Sequence, residues 1–353
     1  MKKKNMAAVV LIILIIAATS CNRSEPPQTE PGNAPADEAK AQAADEEAIK
    51  PEVFLDAVSC PLGGEMIERS SLYIRPVAVM LDNHPAARPQ AGLEQAEVVY
   101  EILAEGNITR YLAIYMHGGD QLVGPVRSAR YYYIDKSMEY NAIYLHAGGS
   151  PEAWDDIARL KIPSFNAMIM GAPLYWRAKH RREPHNVYTS LDRIQASVDD
   201  RGYNKTEGTQ VHIFNHEDTD LEGEGAGKVV VKYLQNYRVS YEYSDRDGVY
   251  MRYVMDKPHV DENNTDCQLQ AKNVIVQEAG HKVVDSEGRR NINLVGSGKG
   301  IYITNGSYVP VTWEKADRRS PTKFYHEDGT RVRLNPGKTW IQVVPALGSV
   351  TFE

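Results

Sequence analysis

Five polar blocks along the chain carry residue types that could do chemistry. The first is Asp82-Asn83-His84-Pro85-Ala86-Ala87-Arg88-Pro89-Gln90. Asp82 and His84 could orient or polarise a substrate there, although Asp-Asn-x-Pro is also ordinary turn chemistry. In the second block Glu101 and Glu105 stand four apart, ahead of Gly106 and Arg110. If the chain is extended through Glu105, both carboxylates share one face. Neighbouring carboxylates push their pKa values apart, and a carboxyl kept protonated near neutrality is the general acid that glycosidic cleavage needs. The catalytic expectation is therefore Glu105 as the acid, with Glu101 and Asp82 beside it. A solvated edge, or a Glu paired with Arg110, is the plain alternative.

The third block is Gly124-Pro125-Val126-Arg127-Ser128-Ala129-Arg130. Arg127 and Arg130, three apart at a helix start, point the same way, with Ser128 between them. Their forks suit a carboxylate or phosphate, and a structural ion pair would use them equally well. In the fourth block, His146-Ala147-Gly148-Gly149-Ser150, a strand runs into two glycines and a helix N-terminus. Free backbone N–H groups there suit an anion, and a tight turn without a ligand explains the same residues. The Lys and second Ser/Thr of a Walker loop are missing. The fifth block, Trp176 to Asn186, is basic and aromatic and contains His185 and Asn186. It could face an anionic polymer or be an exposed loop. No CxxC pair, HExxH run or clustered His/Asp spacing indicates a metal, and no cofactor is expected.

Several of these blocks sit just past predicted strands, where α/β proteins usually build sites. Pro76–Leu81, Val98–Leu103, Tyr111–Tyr115 and Ala142–His146 read as strands. Gly92–Glu97, Ser128–Tyr140 and Pro151–Leu160 read as helices, the last capped by Ser150, and Thr189-Ser190-Leu191-Asp192 could open another. Strands alternating with helices predict an α/β (or α+β) N-terminal domain over residues 53–210. From Lys228 the character changes. Asp247-Gly248, Asn305-Gly306 and Asp328-Gly329 are hairpin signals between strand-like runs, predicting a mostly antiparallel β domain over residues 228–353.

The other end of the chain speaks to location. Lys2, Lys3 and Lys4 precede a 13-residue apolar run, Met6 to Ala18, too short to span a bilayer but suited to a signal-peptide core. Ala17-Ala18-Thr19-Ser20-Cys21 then resembles a bacterial lipobox, with Ala18 where Leu is usual. Residues 1–20 are thus expected to be removed and Cys21 lipidated, holding the chain on the extracytoplasmic face of the cell membrane. A plain secretory signal or an uncleaved anchor would show the same charge and apolar length. Asn22 to Glu52 is rich in Pro, Ala and acid, has no apolar period, and reads as a disordered spacer. The leader carries +3. The spacer, with eight acidic and three basic residues, carries −5, so the body keeps −5 of the total −7. That mild acidity gives no support to nucleic-acid binding. Cys60 and Cys267 lie in different predicted domains. An extracytoplasmic location permits a bond that clamps them, and two free thiols account for them equally.

Taken together, the blocks are more specific than any one of them. The succession Pro76-Val77-Ala78-Val79-Met80-Leu81-Asp82-Asn83-His84-Pro85, Gly124 to Arg130, His146 to Ser150 and Pro184-His185-Asn186 resembles the YerB-like lipoprotein family of Gram-positive bacteria. Val295-Gly296-Ser297-Gly298-Lys299-Gly300 and Leu334-Asn335-Pro336-Gly337-Lys338-Thr339-Trp340 resemble that family's C-terminal domain. The resemblance runs from about Pro76 to Pro345 and implies a two-domain lipoprotein of unassigned function. It supplies no catalytic residue. The residues themselves leave three readings: a glycan-strand hydrolase or lytic transglycosylase of the cell wall, a non-enzymatic binding or scaffold lipoprotein, and a transferase or phosphodiesterase on a lipid-linked phosphate. The last would grip phosphates with Arg110, Arg127, Arg130 and the Gly148-Gly149-Ser150 turn. The expected partners are a cell-wall glycan or other anionic envelope polymer, and the membrane through the lipid anchor.

Overall fold

The strand Val77–Asp82 is buried along its whole length, so something must cover it on both faces. Val77, Val79 and Leu81 point into one core, Ala78 and Met80 into another, as the two-residue period of a strand requires. The computed structural model describes residues 56–353. The leader, Cys21 and the spacer lie outside the described residues. Among the described residues no helix is long and apolar enough to cross a membrane.

Val77–Asp82 belongs to a large mixed sheet. Its order runs Ser307–Lys315, Gly296–Thr304, Asn273–Glu278, Thr339–Val344, Val98–Leu103, Thr109–Tyr115, Val77–Asp82, Ile143–His146, Ser164–Asn166. Strands from both halves of the chain therefore share one sheet. Thr339–Val344 joins them, pairing in parallel with Asn273–Glu278 on one side and Val98–Leu103 on the other. One face is covered by the helices Tyr131–Glu139 and Pro151–Arg159, which bring Tyr132, Tyr133, Ile134 and Ala153 onto Tyr100, Leu112 and Tyr144. The other face carries a second, antiparallel sheet built on Lys228–Leu234, Tyr237–Ser244 and Val249–Val254, together with the helix Leu191–Asp200. The first half is thus mixed α and β, and the second is mostly antiparallel β.

Local signals explain much of this. Ser150 accepts the Ala153 N–H and caps the second helix, with Pro151 in its first turn. Asn305 and Gly306, at φ 47° and 72°, make the tight turn between the paired strands that flank them. Gly92–Glu97 departs from expectation and is a turn, not a helix. Gly92 sits at φ 91°, and the buried Asp261 carboxylate takes the N–H groups of Gly92 (3.1 Å) and Glu94 (2.9 Å). Cys60 is buried and Cys267 exposed, and both are free thiols. The shared sheet, not a disulfide, joins the halves.

A charge pair is sealed between the two sheets. Val99, Glu101 and Leu103 face the second sheet, and Arg252 on Val249–Val254 faces back. Arg252 Nη2 lies 2.6 Å from Glu101 Oε2, with neither side chain exposed. Glu101 Oε1 also accepts from Tyr237 (2.7 Å) and Thr109 (2.6 Å). The guanidinium lies 4.2 Å from the centre of the Trp340 ring and bonds Tyr241 and His259. Removing one member strands the other charge in the interior, which costs about 3–5 kcal/mol. Arg252→Ala is therefore expected to lower unfolding stability in urea by about that much. Arg246→Ala, at an exposed position, should leave the midpoint where it was. Equal midpoints for the two variants would show that the buried pair does not hold the layers.

Candidate functional site

Val77–Asp82, Val98–Leu103, Ile143–His146 and Ser164–Asn166 run the same way in the sheet, so their C-terminal ends form one edge. Asp82 ends the first of them and is wholly buried. Its Oδ1 accepts the His84 N–H (2.9 Å). Its Oδ2 meets His185 Nδ1 (2.6 Å) and Arg127 Nε (3.1 Å). The His84 and His185 rings stack, with centroids 4.5 Å apart. His84 itself is held by its Nδ1, which accepts the Ala86 N–H (3.1 Å) at the start of the turn Pro85–Ala87. Arg127 is placed by its backbone: its N–H donates to Met80, and its carbonyl accepts from Ala147. The segment around it thus lies across the strand ends like an extra rung.

A second cluster adjoins the first. Arg110 donates to the Ser128 carbonyl (3.1 Å) and to Glu105 Oε1 (2.6 Å). Arg130 Nε donates to Glu105 Oε2 (2.8 Å), and its outer nitrogen reaches Oε1. Burial alone would raise the Glu105 carboxyl. The attraction of Arg110, with the hydrogen bond and charge of Arg130, outweighs it and brings the pKa down to about 2. Asp82, His84, Arg127 and His185 form one set of contacts and Glu105, Arg110, Ser128 and Arg130 a second, and the two adjoin where Asp82 and Arg110 pair across neighbouring strands.

The carboxylate expectation needs correcting. Glu101 and Glu105 do not share a face, because the strand ends at Leu103 and the chain turns through Gly106 (φ 71°) and Asn107 (φ 54°). Glu101 is sealed against Arg252 between the layers, out of reach of any substrate. Glu105 is ionised at neutral pH and occupied by two guanidinium groups. Neither can serve as a proton donor to a glycosidic oxygen.

The glycine turn also differs from expectation. The Gly148 N–H donates to Asn166 Oδ1 (3.0 Å). The Ser150 N–H goes to the Ala129 carbonyl, and the Ser150 hydroxyl is spent on the helix cap. Gly148 adopts φ 74°, which asks for glycine. At Gly149 a Cβ would stand 3.3 Å from that of Ala129. Two of the turn's N–H donors are thus spent within the fold. His146 is buried against Tyr144 and Trp154. Its Nδ1 faces the Gly148 carbonyl (2.7 Å), and burial pushes its pKa down to about 4. It is a neutral packing residue at physiological pH. Asn186 accepts from Arg177 (2.9 Å) and braces the loop that carries His185.

Two hollows flank the cluster, built partly from residues with no local signal in the sequence. One, of about 140 Å³, is lined by Asn83, Arg88, Asn107 and Tyr237. The other, of about 260 Å³, lies between Arg130, Tyr131 and Ser150 on one wall and Arg289, Arg290 and Asn291 on the other. That second wall belongs to a hairpin more than 100 residues downstream. Arg290 fastens it by donating to the Ala104 carbonyl (3.0 Å), and the Tyr131 hydroxyl donates to Asn291 (2.6 Å). Among the described residues, the acidic and histidine side chains of this edge form no three-residue group able to hold a metal.

Comparison with known proteins agrees with the fold. The family model described as "Protein of unknown function (DUF3048) N-terminal domain" matches residues 62–204, and the corresponding C-terminal domain matches residues 229–341. The chain is 36% identical over 300 residues to a Bacillus subtilis (strain 168) protein named "Putative lipoprotein YerB", covering 84% of this chain and 89% of that protein. It is also similar to the crystal structure of the YerB protein from Bacillus subtilis, with a TM-score of 0.76 and 34% identity over 84% of this chain and 99% of that one.

The Glu105 contacts predict a pH signature. A carboxyl with a folded pKa of about 2, against an ordinary value of 4.5, stabilises the fold above the ordinary value and ceases to do so as the pH falls through about 2. The stability difference between wild type and Glu105→Gln, from urea unfolding at each pH, should be constant above pH 5 and shrink from there towards pH 2. A difference that does not vary with pH would mean that Glu105 is not held by the arginines.

Proposed function

The chain belongs to the DUF3048 family, that of YerB, and on that footing we propose that it is a membrane-anchored envelope lipoprotein whose body binds an anionic group of a cell-wall polymer at the Asp82–Arg127–Arg130–His185 edge. The charge balance of that edge carries the reading. Three guanidinium groups, of Arg110, Arg127 and Arg130, face two carboxylates, of Asp82 and Glu105, in a chain whose net charge is −7. The surplus is positive, set on strand ends, and partly open: the Arg127 and Arg130 side chains keep 20% and 12% exposure. A phosphate or carboxylate reaching between them would gain charge-assisted hydrogen bonds without rearranging the fold. The location half of the reading rests on the charged leader, the apolar run and Cys21, and on the lipoprotein name of the relative. The acidic spacer would carry the body away from the lipid surface.

Glycan cleavage by a carboxylic acid is no longer favoured, since both candidate acids are engaged elsewhere. The Asp82–His185 pair favours a second reading, as a transferase or phosphodiesterase. A buried carboxylate on Nδ1 orients the imidazole, and among the described residues His185 Nε2 has no hydrogen-bond partner in the protein. That nitrogen could take a proton from an attacking hydroxyl beside an arginine-held phosphate.

The two readings separate in one experiment with the chain from Asn22 to Glu353, made without the leader. Retention on purified cell walls, and on phosphate-containing wall polymer freed from them, should fall by about tenfold in Arg127→Ala, as expected when a charged hydrogen bond is lost, and should weaken with salt. Thermal melting confirms that the variant is folded. Unchanged retention in Arg127→Ala and in Arg130→Ala would remove the site. Phosphate-ester release by wild type that disappears in His185→Gln, with retention intact, would establish the second reading.

A further inference from the structure

At the opposite edge of the same sheet, a thiol, a carboxylate and an imidazole converge from three separate segments. Ligand atoms of Cys60, Glu97 and His117 all lie within 4.8 Å of one another. Cys60 Sγ is 3.9 Å from Glu97 Oε1, and His117 Nδ1 is 2.5 Å from the same oxygen. Each residue is held in place by backbone. The Cys60 N–H donates to Glu65, and the Cys60 carbonyl accepts from Gly64. The Glu97 N–H donates to Ile114, while both Glu97 oxygens accept the Met116 N–H, at 3.2 and 3.1 Å. His117 follows directly.

We propose that Cys60, Glu97 and His117 form a mononuclear site for a zinc-type divalent ion, with one coordination position left open on the His117 side. Thiolate, imidazole and carboxylate together select a transition ion such as Zn²⁺ over Mg²⁺ or Ca²⁺, which prefer oxygen alone. Bonds of about 2.0–2.3 Å to a tetrahedral ion separate its ligand atoms by roughly 3.2–3.8 Å. The thiol and carboxylate, 3.9 Å apart, need close by only a few tenths of an ångström, and His117 need retreat from Glu97 by less than about 1 Å. The contact between His117 and Glu97 is also unresolved as it stands. Nδ1 is buried and close to Oε1, yet makes no hydrogen bond of acceptable angle. An ion taken up as the His117 ring moves back would give Nδ1 a partner. The Met116 N–H would act as the outer partner that orients the carboxylate.

Burial decides between a metal site and a nucleophilic thiol. Cys60 is 1% exposed and Glu97 3%, so no polymer can reach the sulfur. The His117 side chain is 32% exposed, which leaves an ion and its water a way in from that rim. This site shares no residue with the arginine edge, so it stands or falls separately.

The test uses the chain from Asn22 to Glu353 carrying Cys267→Ser, which leaves Cys60 as its remaining cysteine. After treatment with chelator it is titrated with Co²⁺. One equivalent should produce a thiolate-to-cobalt charge-transfer band together with tetrahedral visible bands, and one equivalent of Zn²⁺ should abolish both. Zn²⁺ should also raise the thermal midpoint. Cys60→Ala should lose the charge-transfer band, and His117→Ala, at a partly exposed position, should weaken Co²⁺ binding at least tenfold while remaining folded. No thiolate band at stoichiometric Co²⁺, or a band that persists in Cys60→Ala, or unchanged affinity in His117→Ala, would overturn the assignment.

Discussion

Glu101 and Arg252 stand 151 residues apart in the chain and 2.6 Å apart in the fold. A carboxylate and a guanidinium taken out of water are each costly, and they tolerate burial only when their remaining hydrogen-bonding capacity is met. Tyr237 and Thr109 meet that of Glu101. Tyr241, His259 and the Trp340 face do so for Arg252. The second sheet therefore cannot slide over the first without exposing a charge to an apolar interior. The constraint reaches the surface. The Asn83 amide contacts Thr109 and Tyr237, and Gln90 spans from His259 to the Asp82 carbonyl. The loop that carries Asp82 and His84 is anchored in the same buried network.

The arginine edge follows a different logic. Asp82 and Arg110 are buried, but Arg127, Arg130 and Glu105 keep some exposure, and the positive charges outnumber the negative. Glu105 does for Arg110 and Arg130 what Asp82 does for Arg127 and His185: it sets the spacing and direction of the positive groups. Under the proposed function, such preorganisation would lower the cost of binding an anion, because the arginines are already ordered. The flanking wall of Arg289, Arg290 and Asn291 adds further donors from the second half of the chain. Both halves are thus needed to complete the edge.

Several features were legible residue by residue. The apolar runs from Pro76, Val98, Tyr111 and Ala142 announced strands, and the polar residues after the first, second and fourth fell on one edge because those three strands share a direction. Ser150-Pro151 announced a helix start and Asn305-Gly306 a hairpin. Other features were not legible. The Glu101–Glu105 spacing suggested a shared face, and the strand's end at Leu103 separated them. The Gly148-Gly149 turn looked open, but Asn166 takes the Gly148 N–H and Ala129 the Ser150 N–H. Cys60, Glu97 and His117 show no metal-ligand spacing, because their convergence comes from strand pairing and not from a local repeat.

The sequence by itself determined the leader and lipobox pattern, the change from mixed α and β to antiparallel β near Lys228, and the placing of Asp82 and His146 at strand ends. All of these depend on neighbours a few residues away, where periodicity, turn chemistry and caps operate. The tertiary structure alone decided which carboxylate met which arginine and which was shut away from water. Charge state and access depend on groups more than a hundred residues distant, and their effect is set by burial and separation in space.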